Sequence, residues 1–302
     1  MIINLPKPEN FISVAKQCLI QAFEIVYTDD NYLKDDESLE RDEFWDYHAG
    51  DLNTALILTY QAIEFLLKAQ VCKESPLLLL DQNPTDWPTK PDSDDKDFDD
   101  LYTISGESLV RKYSASLRDE KVDIKLVQFI EEVRITRNRV MHGASKQKLQ
   151  PKFIIEIILD TFLYFLGVNS FWDTTRDLLI NNPMFGIFDE DFEEADLCKR
   201  LDYTESIIGK SKFQLHFDNR LDCRRYLCPW CFEALIQHGE ELQSKWAFLK
   251  PERTAGANEI ECLNCKKAHK VKREKCNENP CKGDVIYINT KDPFCLTCGI
   301  EK

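Results

Sequence analysis

Residue types that can move a proton and hold a phosphate lie close together near the middle of the chain. Nine consecutive residues include three arginines, an asparagine and a histidine: Arg134, Arg137, Asn138, Arg139 and His142. A histidine suits general acid–base catalysis because its unperturbed pKa lies near neutrality. An arginine guanidinium binds phosphate oxygens through paired hydrogen bonds. This stretch therefore predicts metal-independent chemistry on a phosphate ester.

A predicted helix over residues 122–142 presents this stretch, and Gly143 ends it. Its apolar stripe consists of Leu126, Phe129, Ile130, Val133, Val140 and Met141. Counted at about 100° per residue, Arg137 falls within this stripe and His142 falls on the opposite side. Because a buried unpaired guanidinium is rarely tolerated, Arg137 indicates a cleft or a subunit interface. A bulge before Gly143, or a cleft shared by two copies, would bring Arg137 and His142 together.

Four pairs of cysteines lie in the carboxy-terminal part of the chain. They are Cys228 and Cys231, Cys262 and Cys265, Cys276 and Cys281, and Cys295 and Cys298. In three pairs two residues separate the cysteines, a spacing that places both thiolates on one tight turn. Two such turns complete a tetrahedral four-sulfur zinc site. The eight cysteines therefore predict two structural zinc ions, and no metal is predicted for catalysis.

The way in which these pairs combine stays open. Sequential pairing gives two zinc ribbons with a strand over residues 285–288, whereas interleaved pairing joins the first pair to the third and the second to the fourth. Cys223, His238 and His269 are weaker alternative ligands. Closed four-sulfur sites stabilise small domains because metal binding contributes folding free energy. Both zinc sites are therefore interpreted as structural.

Basic residues concentrate between the second and third cysteine pairs. This basic strip contains Lys266, Lys267, Lys270, Lys272 and Arg273. It stands out against an acidic chain, so it is a candidate surface for RNA phosphates. Rings for base stacking lie nearby in sequence at Trp246, Phe248 and Tyr287. A solvated strip without a ligand explains the same residues equally well.

Helical periodicity dominates the first two-thirds of the chain. Residues 51–73 are apolar around much of a helix circumference, which predicts a central position in a bundle. The predicted fold is mainly α: a helical bundle over 1–182, an acidic helical linker over 183–208, and a small β-rich domain with two zinc ribbons over 209–302. A period of two predicts a strand at the start of this last domain, at Phe213, Leu215 and Phe217.

Charge is distributed unevenly between the two ends of the chain. The net charge is −14, made of −18 over residues 1–208 and +4 over 209–302. Such an acidic chain is not a general nucleic-acid coat, so any nucleic-acid contact has to be local. The amino terminus lacks a signal-peptide pattern, and the most apolar run, residues 153–168, is too short to span a membrane. A cytoplasmic protein without a membrane partner is therefore expected, and in that compartment paired cysteines indicate zinc.

The sequence Arg137-Asn138-x-x-x-His142 resembles the motif of the HEPN superfamily, all-helical domains found in many prokaryotic toxin, defence and RNA-processing ribonucleases. Gly143 after the histidine, the position at a helix end and the segment 61–70 add to the resemblance, which covers roughly residues 10–180. It implies a HEPN-like helical bundle with endoribonuclease activity. The RNA 2′-hydroxyl would attack the adjacent phosphorus and leave a 2′,3′-cyclic phosphate.

The resemblance also implies a role for each residue of the motif. His142 would act as general acid and base, Arg137 would hold the scissile phosphate, and Asn138 would orient the histidine or the phosphate. Arg134 and Arg139 would grip flanking phosphates, although an ordinary solvated helix end explains them equally well.

The implied partners are an RNA substrate such as tRNA or mRNA, a second copy of the chain, and an antitoxin or phage-derived trigger. The leading hypothesis is an endoribonuclease of the toxin or antiviral-defence type whose zinc ribbons recognise RNA or a partner. The alternative is a non-catalytic dimeric HEPN scaffold whose zinc ribbons bind nucleic acid or protein. A transcription-associated zinc-ribbon protein is a third reading, which the acidic main body disfavours.

Overall fold

The computed structural model describes residues 1–35, 40–81, 87–88, 95–116, 123–143, 148–181, 190–217, 223–239, 244–251, 254 and 256–301. The chain divides into two compact units, Met1–Leu166 and Gly167–Lys302. The first unit is built from helices, and the second combines helices with a small antiparallel sheet. The predicted mainly helical fold with a β-containing, cysteine-rich end is confirmed at this level.

Six α-helices form most of the described part of the first unit. They are α1 (Pro8–Asp35), α2 (Arg41–Tyr47), α3 (Ala49–Glu74), α4 (Gly106–Ser116), α5 (Ile124–Met141) and α6 (Pro151–Leu166). Two short strands, β1 (Ile2–Ile3) and β2 (Lys96–Asp97), pair in parallel and tie the amino terminus to the segment before α4. The expected helices at residues 51–73 and 122–142 correspond to α3 and α5.

Helix α3 forms the centre of the first unit. It packs against α1, α4, α5 and α6, and it buries side chains around most of its circumference, among them Ala55, Leu56, Ile63, Leu66 and Leu67. Among the described residues α3 is the one helix that by itself is long and apolar enough to cross a membrane. Because 61% of that apolar window is buried within the unit, α3 has the character of a core helix.

The described part of the second unit contains four helices and five strands. The helices are α7 (Ser170–Ile180), α8 (Glu190–Ile208), α9 (Lys210–His216) and α10 (Pro229–Gln237). The strands are β3 (Ala247–Lys250), β4 (Glu259–Cys262), β5 (Ala268–Arg273), β6 (Val285–Tyr287) and β7 (Phe294–Cys295). These strands form one antiparallel sheet in sequence order.

The segment predicted to link two domains, residues 183–208, belongs to the second unit as far as it is described; residues 183–189 lie outside the described part. Acidic side chains of α8 are paired within the unit rather than solvated. Glu194 forms a 2.7 Å ion pair with Arg176 of α7, and Asp202 accepts a 3.0 Å hydrogen bond from the Trp246 indole. The division between the two compact units falls between Leu166 and Gly167, before α7.

The strand predicted at residues 213–217 is wrong, because this segment is helix α9. Phe213 and Phe217 are buried and their rings stack at 3.8 Å, whereas Leu215 between them is 62% exposed. Residues i and i+4 lie on one face of a helix. The two phenylalanines therefore follow helical spacing, and Leu215 is a solvent-facing residue.

Candidate functional site

Helix α5 carries the arginine–histidine motif at its carboxy-terminal end. The helix is regular from Ile124 to Met141. The His142 amide donates to the Asn138 carbonyl and the Gly143 amide to the Val140 carbonyl, both at 3.0 Å. Gly143 has φ +63°, a left-handed conformation that favours glycine and ends the helix. The bulge considered for this helix end is therefore absent from the described α5.

Arg137 is half-buried, and neighbouring side chains hold its guanidinium. Its Nη1 donates a 3.0 Å hydrogen bond to Asn138 Oδ1, and its guanidinium carbon lies 5.4 Å from the ring centroid of Tyr60 on α3. The buried Nε–H of Arg137 has no hydrogen-bond partner among the described residues. Asn138 therefore orients the arginine, and the Tyr60 ring supports its charge.

Tyr60 was not identified from the sequence, where it looks like one more core residue of α3. It is 6% exposed. Burial, and then the nearby Glu64 carboxylate, raises the pKa of the Tyr60 hydroxyl to about 12. The phenol is therefore protonated throughout the physiological pH range and supplies a neutral ring face to Arg137.

His142 is exposed at the end of α5 and forms no side-chain hydrogen bond or ion pair with the described residues. On a regular helix five residues apart, it points about 140° away from Arg137. The apolar stripe of α5 is buried at Leu126, Ile130 and Val133 but is 52% exposed at Met141. One chain therefore presents the arginine and the histidine on different sides of an exposed helix end.

Arg134 and Arg139 differ in their surroundings. Arg134 forms two hydrogen bonds with Glu131, at 2.8 and 2.7 Å, and this pairing raises the pKa of the Arg134 guanidinium. Arg139 is exposed and lines a groove of about 660 Å³ beside α5 and α6, which Glu132 and Ile135 also line. Arg139 is therefore available to a ligand, whereas Arg134 would first have to leave Glu131.

The first four-sulfur cluster is formed by Cys228, Cys231, Cys262 and Cys265, all buried. The Cys228 and Cys265 sulfurs lie 3.6 Å apart, and those of Cys231 and Cys262 lie 3.8 Å apart. Zinc–sulfur bonds of about 2.3 Å in a tetrahedron place the sulfurs about 3.8 Å apart, so the geometry fits zinc. The start of α10 supplies one cysteine pair, and β4 with its following turn supplies the other.

The second cluster is formed by Cys276, Cys281, Cys295 and Cys298. Its sulfur–sulfur distances include 3.8 Å for Cys276 and Cys298 and 3.9 Å for Cys281 and Cys295. Backbone amides of Gly283 and Thr297 lie 3.3 and 3.4 Å from two of the sulfurs, an arrangement typical of metal-binding turns. The sequential pairing is therefore confirmed, and the interleaved pairing is wrong.

Residues around the first cluster include one that the sequence did not reveal. The Asn264 amide lies 3.3 Å from the Cys231 sulfur and 3.1 Å from Glu194 Oε2. It links the cluster to α8, which explains why α8 belongs to this unit. Of the alternative ligands, His269 lies beside the cluster with Nε2 3.6 Å from the Cys228 sulfur. Cys223 and His238 belong to neither four-sulfur cluster.

The basic strip is divided by the alternation of strand β5. Lys270 and Lys272 are exposed on one face, whereas His269, Val271 and Arg273 point to the other. Several charges are already engaged: Lys266 pairs with Asp173, Lys272 with Glu274, and Arg273 with Asp284, while the Lys267 ammonium lies 3.1 Å from the Trp230 ring centroid. Lys270 and Lys272 therefore share one exposed face of β5, and of these two Lys272 is already paired with Glu274.

A further group of titratable side chains lies where α1, α2 and α3 meet. His48 Nδ1 is 3.0 Å from Asp51 Oδ2 and 3.7 Å from Asp29 Oδ2, and the imidazole stacks on Phe44 at 4.2 Å. Burial, and then the charge of Asp51, raises the pKa of the Asp29 carboxyl. The structure thus brings two carboxylates to one histidine nitrogen.

Comparison with known proteins identified no relative of this chain: no family, no curated protein and no solved structure matched it.

Proposed function

We propose that the first unit is a metal-independent endoribonuclease of the HEPN type. The observation that carries the proposal is the composition and exposure of the α5 end: His142 projects into solvent from a rigid helix terminus, with the Arg137–Asn138 pair one turn before it. His142 takes the proton from the RNA 2′-hydroxyl, the 2′-oxygen bonds to phosphorus, and the bond to the 5′-oxygen breaks with return of a proton. Arg137 balances the charge that develops on the phosphoryl oxygens.

The proposal includes a second copy of the chain. Arg137 and His142 lie on different sides of one regular helix, so one chain does not direct both at the same phosphate. The exposed Met141 and Ile135 beside the motif are apolar surface suited to a contact between two α5 helices. A two-fold arrangement would set Arg137 of one chain against the histidine of the other.

In the proposed protein the two cysteine clusters hold structural zinc ions. Zinc supplies folding free energy to the second unit and takes no part in RNA cleavage. Lys270 and Lys272 would contact RNA or a protein partner. Restraint by an antitoxin, or activation by a phage-derived trigger, in a cytoplasmic setting belongs to the same proposal.

The test is cleavage of labelled RNA by the full-length wild type and by His142→Ala. We expect the His142→Ala rate to fall by about 10²- to 10⁴-fold, with 2′,3′-cyclic phosphate ends in the wild-type products only. The matched control is His238→Ala, because His238 caps α10 with nearly the same backbone geometry and also precedes a glycine of positive φ. Equal cleavage by wild type and His142→Ala would remove His142 from the mechanism.

A second arm separates the structural from the catalytic use of metal. We expect cleavage to need no added metal ion and to persist in a chelator for as long as the protein retains its zinc, measured on the same sample. Loss of cleavage in chelator before any loss of zinc would contradict the metal-independent mechanism. RNA binding without turnover across many substrates would favour the non-catalytic scaffold instead.

A further inference from the structure

The second unit contains a groove that neither the zinc sites nor the proposed RNA chemistry uses. It has a volume of about 500 Å³ and lies among helix α10, strands β5, β6 and β7, and the carboxy-terminal residues up to Glu301. Nothing in the cysteine spacing requires such a groove, because both four-sulfur clusters are complete without its lining residues.

Aromatic rings form much of the wall of this groove. Tyr287 packs edge-to-face against His269 and Phe294, with ring centroids 5.8 and 5.7 Å apart. Phe232 of α10 lies 5.6 Å from Phe294, and Trp230 lines the groove as well. Rings fixed by their neighbours present faces and edges to a ligand at low entropic cost.

Three carboxylates line the groove. They belong to Glu233, Asp292 and Glu301, and the described lining residues include no lysine or arginine. Each of these three carboxylates is exposed and forms no ion pair with another described residue. The three carboxylates would repel a phosphate. A cation would be attracted both by these carboxylates and by the electron-rich faces of the aromatic rings.

The chain itself shows what kind of cation its rings accept. The ammonium of Lys267 lies 3.1 Å from the ring centroid of Trp230, one of the residues that line the groove. An alkylammonium therefore already sits against the aromatic surface beside the groove. We propose that this groove binds a lysine side chain of a partner protein, with its ammonium between the aromatic rings and the carboxylates of Glu233, Asp292 and Glu301.

The site is distinct from the proposed RNA chemistry. Lys270 and Lys272 point to the opposite face of β5 from His269, which lines the groove. The second unit would thus take a basic protein segment on one face of this strand and leave the lysines on the other. Failure of RNA cleavage would not affect this proposal, and failure of lysine binding would not affect the ribonuclease proposal.

The test uses the full-length zinc-loaded protein and capped Gly-Gly-Lys-Gly-Gly peptide, titrated by calorimetry. The comparison ligands are the same peptide with trimethyl-lysine, the same peptide with norleucine, and AMP as a nucleotide. We expect the lysine and trimethyl-lysine peptides to bind at least about tenfold more tightly than the norleucine peptide, and AMP to compete with neither. Absence of lysine-peptide binding, equal binding of the norleucine peptide, or preferential binding of AMP would overturn the proposal.

Variants locate the binding in the groove. Glu233→Gln combined with Asp292→Asn removes two exposed charges at nearly constant shape and is expected to weaken lysine-peptide binding by roughly threefold to tenfold. Tyr287→Leu removes an aromatic ring and is expected to weaken the binding of both the lysine and the trimethyl-lysine peptide. The matched control, Glu278→Gln, changes an exposed carboxylate outside the groove and leaves binding unchanged. Zinc content equal to wild type shows that each variant is folded, and unchanged binding by the charge variant would refute the site.

Discussion

At the scale of single residues, Arg137 shows how a charge is accommodated on an apolar stripe. Its guanidinium is neither sealed in the core nor solvated. Asn138 accepts a hydrogen bond from one end, and the Tyr60 ring supports the charge. One donor, the Nε–H, is left without a partner among the described residues. A buried donor without a partner costs about 1–3 kcal/mol, so the arginine is suited to a ligand that supplies an acceptor.

Tyr60 is expected to support Arg137 without exchanging a proton. Its pKa of about 12 keeps the hydroxyl protonated wherever RNA cleavage is measurable. We therefore expect Tyr60→Phe to change the cleavage rate by only a few fold and to leave the shape of the pH–rate profile unchanged, as measured from pH 5 to 10. An alkaline limb that is present in the wild type and missing from Tyr60→Phe would contradict this role.

The same shift in pKa predicts the stability of the first unit at high pH. The folded state holds the Tyr60 proton more tightly than the unfolded chain, whose tyrosine pKa is near 10. The free energy of unfolding therefore falls as pH rises from about 10 to 12, and Tyr60→Phe removes part of that fall. The measurement is denaturant unfolding of the wild type and Tyr60→Phe at pH 8, below the pH at which stability begins to fall, and at pH 10.5, above it.

At the scale of elements, the long periodic helices and the strand expected at residues 285–288, which corresponds to β6, were predictable, whereas helix α9 was not. Residues 51–73 could be assigned to a central helix, α3, because their apolar residues lie around most of the helix circumference. A helix with that pattern has to be buried in a core. The cysteine clusters followed from spacing, since a tight turn fixes where its two sulfurs lie. Helix α9 was misread because five residues with three apolar positions fit either period. Only the burial of Phe213 and Phe217 with Leu215 exposed distinguishes the two.

The candidate site was predictable in its motif and not in its surroundings. His142 and Arg137 could be placed on different faces by counting residues. The contact between Tyr60 and Arg137 could not be predicted, because it depends on which turn of α3 packs against α5. In the same way the basic strip looked continuous in sequence, but β5 turns alternate residues to opposite faces, and Asp173 and Asp284 bind two of its charges.

Gly143 ends helix α5, and a measurement of the free energy of unfolding tests this role. With φ +63° and nothing within 4 Å of an added Cβ, Gly143→Ala introduces backbone strain alone. We expect it to lower the free energy of unfolding by about 1 kcal/mol and to reduce cleavage by displacing His142. Gly50→Ala is the control, because Gly50 lies near the start of α3 in the same unit with equal space and no positive φ. It should be neutral or slightly stabilising in the same denaturant titration, and equal destabilisation by both variants would contradict the assigned role of Gly143.

At the scale of the whole molecule, charge is distributed unevenly along the chain. Residues 1–208 carry −18 and residues 209–302 carry +4. A chain of this charge does not attract RNA by its overall field, so an RNA would be held by few and local contacts. The α5 end offers such a contact, with Arg137 and Arg139 near His142. Two α5 ends in one cleft would double the local positive charge, which is a second physical reason for a shared site.

The shared cleft predicts recovery of activity when two inactive variants are mixed. In Arg137→Ala every arginine of the site is missing, and in His142→Ala every histidine is missing, so each homodimer is expected to be inactive. Random exchange makes half of the dimers mixed, and each mixed dimer keeps one of two intact arginine–histidine pairs. The mixture should therefore regain up to about one quarter of the wild-type cleavage rate.

Matched mixing controls decide between a shared and a single-chain site. Mixing Arg137→Ala with the double variant Arg137→Ala/His142→Ala leaves no intact pair across the interface and should restore nothing. Subunit exchange is checked by co-purification of differently tagged chains in the same sample. Absence of recovery in a sample that contains mixed dimers, or full wild-type activity in a protein that sediments as a monomer, would contradict a cleft built from two chains. The regular helix that separates Arg137 from His142 would then require a large rearrangement of α5 on binding RNA.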